Sequence, residues 1–409
     1  MRKRQAGMAF ILVTLLIDML GIGLVIPILP ELVTELLGGN RSLASGYYGA
    51  FIAVYAAMQF VFAPILGALS DQYGRRPVLL LSLLGAGLDY LLLALAPSLA
   101  ILFVGRVIAG ITGANITVAN AYIADVSTPE DRARNFGLLG AVFGVGFIIG
   151  PALGGVLGNI DLRLPFYFAA ALALINALYG YFVLPESHRP ENRRPFGWAR
   201  ANPVGSLGAI TRYPVVLGLT ITIVLVGLAQ NALQSTWVLF TGYRFGWDAL
   251  QNGFSLMLVG VMAVVVQGGL VGLLIPRLGE RRAIVLGLII SAAAFVMYGL
   301  ATQGWMMYAV LLLGGLGGIA GPAAQGLIAG EVSAQEQGAV QGAIASLSSL
   351  TGVFGPLAAT ALFAYFTGDR APLEVPGIAF FFGAVLTVLA TVTAAVSFRR
   401  AQRSGLAQS

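Results

Sequence analysis

The 409-residue sequence has no cysteine, one histidine (His188), one lysine (Lys3) and few charges of either sign. The lack of cysteine excludes disulfides, iron–sulfur clusters and thiolate zinc sites. A single histidine leaves no imidazole-built centre, so neither a metal nor a cofactor is expected. With Lys3 alone, there is no GxxxxGK[ST] loop to cradle a phosphate, and ATP-driven transport by this chain alone is excluded. Charged residues make up 10%, where a soluble domain carries about 25%, so charge is too scarce to coat a water-facing surface. Hydrophobic residues make up 58% and mean hydropathy is +0.88. This composition excludes a soluble enzyme, a disordered protein and a fibrous one. The 54 glycines follow no Gly-X-Y period and suit close helix packing in a lipid bilayer. The chain reads as a polytopic membrane protein.

A membrane helix needs about 20 mostly apolar residues. Twelve such stretches are expected, over 8–30, 46–69, 77–97, 100–124, 136–158, 164–184, 214–240, 250–275, 282–302, 305–329, 338–364 and 375–397. The first is too long for a cleaved leader, ends at Pro27 and Pro30, and precedes no small-residue cleavage site. With the N-terminus cytoplasmic, only Arg41, Arg163, Arg244 and Arg370 fall in outer loops and only Arg106 lies within a span. The remaining 18 of the 23 lysines and arginines fall on the inner side. That bias sets the orientation, with both termini cytoplasmic. It also explains the net charge of +6 without any nucleic-acid partner.

The longest connection, Pro185 to Tyr213, is polar, basic and proline-rich. It divides the chain into a bundle at 1–184, a cytoplasmic linker at 185–213 and a bundle at 214–409. An internal repeat supports the division. Gly67 and Gly74 recur as Gly272 and Gly279, Gly137 as Gly342, and Gly150–Pro151 as Gly355–Pro356, all offset by 205 residues. Parallel six-helix repeats are a secondary-transporter layout.

Ionisable residues deep in a membrane helix cost roughly 2.5–3.5 kcal/mol on insertion scales and mark function by default. Three qualify: Asp18, Asp89 and Arg106. At about 1.5 Å per residue, Asp18 lies about 15 Å from the inner face and Asp89 about 18 Å. Arg106, about 9 Å below the outer face, sits close to the depth of Asp89. The two can pair across adjacent helices. The functional reading has Asp18 and Asp89 exchanging a proton while Arg106 tunes their proton affinity. The structural alternative is a permanently ionised Asp89–Arg106 pair that fixes helix register.

The segment GALSDQYGRRPVLL (Gly67 to Leu80) places glycines for close approach and a tight turn, and Asp71 where it can cap the next helix or pair with Arg75 or Arg76. It resembles the loop signature of the major facilitator superfamily. VGRVIAGITGAN (Val104 to Asn115) resembles that family's fourth-helix arginine motif. GVGFIIGPALGG (Gly144 to Gly155) resembles the fifth-helix motif associated with antiporters. IDMLGIGLVIPILP (Ile17 to Pro30), LDYLLLAL (Leu88 to Leu95), LPESH (Leu184 to His188), WVLFTGYRFGW (Trp237 to Trp247), GPAAQG (Gly321 to Gly326) and EQGAVQG (Glu336 to Gly342) resemble the bacterial tetracycline/proton antiporter branch.

The resemblance implies an all-α major facilitator fold, twelve transmembrane helices in two pseudo-symmetric six-helix bundles. It implies proton-coupled export of a tetracycline-like or other amphipathic drug by alternating access, in the bacterial inner membrane, by a monomer. It assigns proton coupling to Asp18, Asp89 and Arg106, and gating to Asp71, Arg75, Arg76, Asp125, Gly67 and Gly74. It assigns the antiporter motif to Gly144, Gly150, Pro151, Gly154 and Gly155. Substrate-binding candidates are Gln59, Asn115, Gln230, Gln234, Trp237 and Gln325. One departure matters. Where the branch pattern has a histidine in the eighth helix and an aspartate in the ninth, this chain has Ala263 and Ser291. Proton coupling then rests on the N-terminal half, and the departure speaks against recognition of a metal-chelated tetracycline.

Three other readings exist. Uptake of a small nutrient keeps the fold and reverses the direction, against the fifth-helix motif. A non-transporting receptor or scaffold is the reading from another class; it predicts that Asp18→Asn leaves cellular drug tolerance unchanged. A membrane-embedded enzyme lacks any nucleophile–base or metal set. His188, at a helix end, reads as an interfacial cap.

Overall fold

The computed structural model describes residues 2–113, 115–188, 190–193, 195–197, 210–333, 336–368 and 371–406. Among them are helices and short 3-10 and π segments, and no strand. Twelve helices are long and apolar enough to cross a membrane: α1 (Gly7–Val25), α2 (Arg41–Tyr73), α3 (Arg75–Leu95), α4 (Leu99–Val126), α5 (Gly137–Ile160), α6 (Leu164–Val183), α7 (Pro214–Phe245), α8 (Ala249–Leu278), α9 (Glu280–Leu300), α10 (Gly304–Glu331), α11 (Val340–Thr367) and α12 (Ile378–Ala401). Each expected apolar stretch finds its helix. The first stretch overshoots: α1 stops at Val25, and a separate short helix covers Leu29–Leu36, with Pro30 in its first turn. Proline has no N–H to donate to the preceding turn, and Pro27 and Pro30 together remove two donors within four residues, where the helix breaks. Apolar windows also stop short of polar helix ends, so α2 begins at Arg41 rather than 46.

The repeat is visible in the backbone. Gly74 (φ 108°) precedes α3 and Gly279 (φ 78°) precedes α9. Both take the left-handed side of φ, where side-chain-bearing residues are strained. Helices α3 and α9 each run 21 residues and start 205 positions apart. Pro151 and Pro356, at the same offset, both lie inside helices.

The chain forms two compact units. One comprises Met1–Asn40, Val54–Asn202 and Trp247–Gly260; the other comprises Arg41–Ala53, Pro203–Gly246 and Val261–Ser409. In the first, a core of Phe10, Ile11, Leu15, Val118, Tyr122 and Ile123 joins α1 to α4. In the second, Leu219, Ile284, Leu288, Ile328, Ile344 and Ala394 join α7, α9, α10, α11 and α12. Of the connection at 185–213, positions 189, 194 and 198–209 lie outside the described residues; Pro190–Asn192 forms one 3-10 turn.

Candidate functional site

The glycine–proline motif of α5 brings two helices together. A Cβ built on Gly146, Gly150 or Gly154 would lie 2.4–2.8 Å from Met19, Gly23 or Leu24 of α1. These residues recur every four positions and so line one face of α5. Only a face without side chains lets the α1 backbone approach so closely. Gly155 points elsewhere, to Ala249 and Gly253 of α8. Pro151 is buried beside Gly150, and Gly144 is half-buried on the same helix. Asp18, one residue before Met19, is half-buried on α1.

Asp89 and Arg106 pair across α3 and α4: an Arg106 Nη2–H donates to Asp89 Oδ2. The depth arithmetic from the sequence anticipates this contact. Asp89 is 2% exposed, and among the described residues its Oδ1 and the Arg106 Nε have no hydrogen-bond partner. Gly105 makes room for it, since a Cβ there would lie 2.8 Å from Oδ1. On the other side, the Arg106 guanidinium stands 5.8 Å from the centre of the Tyr55 ring, within cation–π range. Gln59, one turn beyond Tyr55, donates from Nε2 to the Tyr55 hydroxyl at 3.4 Å and to the Gly113 carbonyl at 3.0 Å. Here α4 pauses, as its first helical segment ends at Thr112. The predicted residues Asp89, Arg106 and Gln59 thus share one neighbourhood, joined by Tyr55, which sequence reasoning passed over. A buried charge pair with one carboxylate oxygen unsatisfied is costly to keep and chemically able to take up a proton.

A second cluster sits at the α2–α3 turn. Arg75, 7% exposed, donates from Nη1 to Asp71 Oδ1 and to the Ser70 hydroxyl, both at 2.6 Å, and from Nε to Asp125 Oδ2 at 3.1 Å. The gating candidates Asp71, Arg75 and Asp125 therefore meet. Ser187 Oγ also donates to Asp125 Oδ2, at 3.2 Å, and His188 Nδ1 lies 3.7 Å from it. Arg76 turns away: its Nη2–H donates to the Tyr181 carbonyl, and its guanidinium lies 5.8 Å from the Tyr181 ring centre. Gly67 leaves 3.9 Å between its would-be Cβ and Thr117, a looser approach than expected.

The remaining binding candidates scatter. Gln230, Gln234 and Gln325 are exposed, and Gln325 accepts a 3.2 Å bond from Gln341. Trp237 is 2% exposed and packs edge-on to Tyr298 and Phe380, at 5.3 and 6.4 Å between ring centres. It is a core aromatic of the second unit, not a surface-lining one. The Asn115 side chain lies outside the described residues. Among the described residues, no group of three or more His, Cys, Asp or Glu side chains could hold a metal ion.

The Major Facilitator Superfamily model matches residues 11–300 and 268–408. The class C tetracycline resistance protein of Escherichia coli is 44% identical over 88% of this chain and 91% of that protein. Multidrug resistance protein 2 of Bacillus subtilis (strain 168) is 30% identical, over 86% and 88% respectively. A crystal structure of a bacterial homologue of the human lysosomal transporter Spinster shares the fold, with a TM-score of 0.78 at 17% identity over 97% of both chains. Twelve apolar helices, a two-fold internal repeat and these relatives establish a multi-pass membrane protein of the Major Facilitator Superfamily, in the branch that includes the tetracycline resistance proteins.

Proposed function

We propose that the chain is a proton-coupled antiporter that exports amphipathic, tetracycline-like drugs by alternating access. The observation that carries this is the Asp89–Arg106 pair, buried among apolar helices, with one carboxylate oxygen left without a hydrogen-bond partner among the described residues. Asp89, with Asp18 on α1, carries the proton; Arg106 holds the carboxylate when the proton has left. The relatives named as resistance proteins support a drug as cargo. Asp71, Arg75 and Asp125 gate one face, with Gly67, Gly74 and Arg76 shaping the turn. Gln59, beside the Asp89–Arg106 pair, offers a neutral hydrogen-bonding group to the drug, and an apolar site with few polar groups suits an amphiphile. The chain works as a monomer in the bacterial inner membrane, both termini cytoplasmic, with bundles at 1–184 and 214–409 joined by the linker at 185–213. One charge moving down 100 mV supplies about 2.3 kcal/mol. Tenfold uphill export costs about 1.4 kcal/mol, so one proton per drug suffices.

A drug-susceptibility panel in a pump-deficient host, tetracycline included, tests the reading. The intact protein should raise tolerance to at least one amphipathic drug, and Asp89→Asn should abolish that gain at equal protein level. Unchanged tolerance across the whole panel, or full activity of the Asn variant, would sink it. Resistance to tetracycline itself would show that Ala263 and Ser291 suffice where the branch has histidine and aspartate.

A further inference from the structure

Helix α3 begins against its own electrostatics. The positive end of a helix favours an acidic residue, yet the first turn of α3 carries no acid and opens with Arg75 and Arg76. Its N-cap, Gly74, has no side chain to accept the free backbone N–H groups. Elsewhere in the chain, the segment that follows α6 supplies what is missing. Glu186 Oε1 accepts the Arg75 backbone N–H at 2.8 Å, and Oε2 accepts the Arg76 N–H at 3.2 Å. The same Oε1 accepts the His188 backbone N–H at 3.0 Å. The Tyr122 hydroxyl donates to the Pro185 carbonyl at 3.0 Å, pinning the segment to α4. The Phe196 N–H donates to Gln72 Oε1 at 3.0 Å, pinning it again to the end of α2.

The repeat provides an internal comparison. At Gly74 a Cβ would fall 2.3 Å from Glu186 Oε2, so the carboxylate fills the space that the glycine leaves. At Gly279, its counterpart, no described atom lies within 4 Å of that position. There α9 carries its own acid, Glu280, in the first turn. Of the two turns, only the one at Gly74, beside the Arg75 cluster, has a capping carboxylate from a distant segment among the described residues.

We propose that Glu186 is a positioning residue of the gate. By clamping the two N–H groups at the start of α3, it fixes the Arg75 backbone so that the guanidinium reaches Asp71, Ser70 and Asp125 together. Ser187 and His188, carried on the same segment, close over Asp125. The segment after α6 is thus a third arm of the cluster, and opening of the gate requires its release. This inference rests on the transporter reading above.

The absence of cysteine makes the test direct. Ser70 is fully buried beside the Arg75 guanidinium, so Ser70→Cys makes the only thiol in the protein a reporter of the closed cluster. In membrane vesicles, Glu186→Ala should raise the rate of alkylation by a water-soluble maleimide about tenfold, the scale of losing hydrogen bonds to a charged acceptor. Glu186→Gln, which keeps one carbonyl acceptor, should raise it less and carries the test if the alanine variant fails to fold. In an Arg75→Ala background, Glu186→Ala should change nothing further. Parental labelling in both Glu186 variants, or an equal rise with and without Arg75, would overturn the proposal. Drug export by the unsubstituted protein is measured in parallel: failure there counts against the antiporter reading and leaves the labelling result to decide on Glu186.

Discussion

Gly155 of α5 and Gly253 of α8 meet backbone to backbone. A Cβ on Gly253 would stand 2.9 Å from the Gly155 Cα and 2.4 Å from the Pro151 carbonyl oxygen. Backbone cannot yield as a side chain does, so overpacking here costs about 1–3 kcal/mol. Gly253→Ala is expected to lower the melting temperature of the solubilised protein and to reduce drug export. Retention of both would show that the two helices separate freely.

The counterpart contact in the second unit has a remedy. A Cβ on Gly49 would fall 1.9 Å from Thr360 Oγ1, and Thr360 stands 205 residues after Gly155. Gly49→Ala alone should destabilise. The double variant with Thr360→Ala removes the obstructing hydroxyl but keeps the Thr360 Cβ, 2.9 Å from the added methyl group, and should recover part of the loss in a thermal-shift series. An equal melting point for the single and double variants would place the strain elsewhere.

Arg106 and Asp89 depend on each other more than either contributes to stability. Removing one partner of a buried pair leaves an uncompensated charge and costs about 3–5 kcal/mol. Arg106→Ala should therefore melt well below wild type, whereas Arg106→Gln combined with Asp89→Asn should melt close to it. Neither should transport. A double variant as unstable as the single one would mean that the pair is not the source of the loss.

Gly74 and Gly279 share positive φ but differ in surroundings. In this extended positive-φ region, open essentially to glycine alone, alanine costs about 1–3 kcal/mol at either site. At Gly74 it must also displace the Glu186 carboxylate. Gly74→Ala should thus destabilise more than Gly279→Ala, and adding Glu186→Ala should narrow the gap. Equal melting shifts for the two alanines would refute the added steric cost.

Glu336 offers a pH handle outside the spans. The Tyr213 hydroxyl donates to its Oε2 at 2.6 Å, and Arg212 pairs with Oε1. Chiefly through the tyrosine hydrogen bond, with a further contribution from Arg212, its carboxyl is held below the ordinary value of 4.5. A depressed value means stability present above 4.5 and lost as pH falls through the lower, folded value. Wild-type melting should therefore drop more between pH 5 and pH 3.5 than that of Tyr213→Phe. Parallel pH profiles would contradict this.

The twelve helices were legible because lipid demands long apolar runs, and the repeat because glycine and proline keep their spacing. The Asp89–Arg106 pair followed from depth alone, since both residues are expensive in lipid and sit at one level. Tyr55 escaped notice because an aromatic in an apolar helix looks like any other until its neighbour across the bundle is known. Glu186 escaped for a different reason. Its string was read for its resemblance, but a carboxylate in a polar connection is ordinary, and only the fold reveals that it faces a helix start 111 residues away. Trp237 misled because amides flank it in sequence, while its own face of α7 turns into an aromatic core.

The side-chain-free seam between α1 and α5 has a mechanical consequence. Because Gly150 abuts Gly23 backbone to backbone, while Gly146 meets the Met19 Cβ, a displacement of α5 toward α1 meets little that can yield before it reaches the α1 backbone next to Asp18.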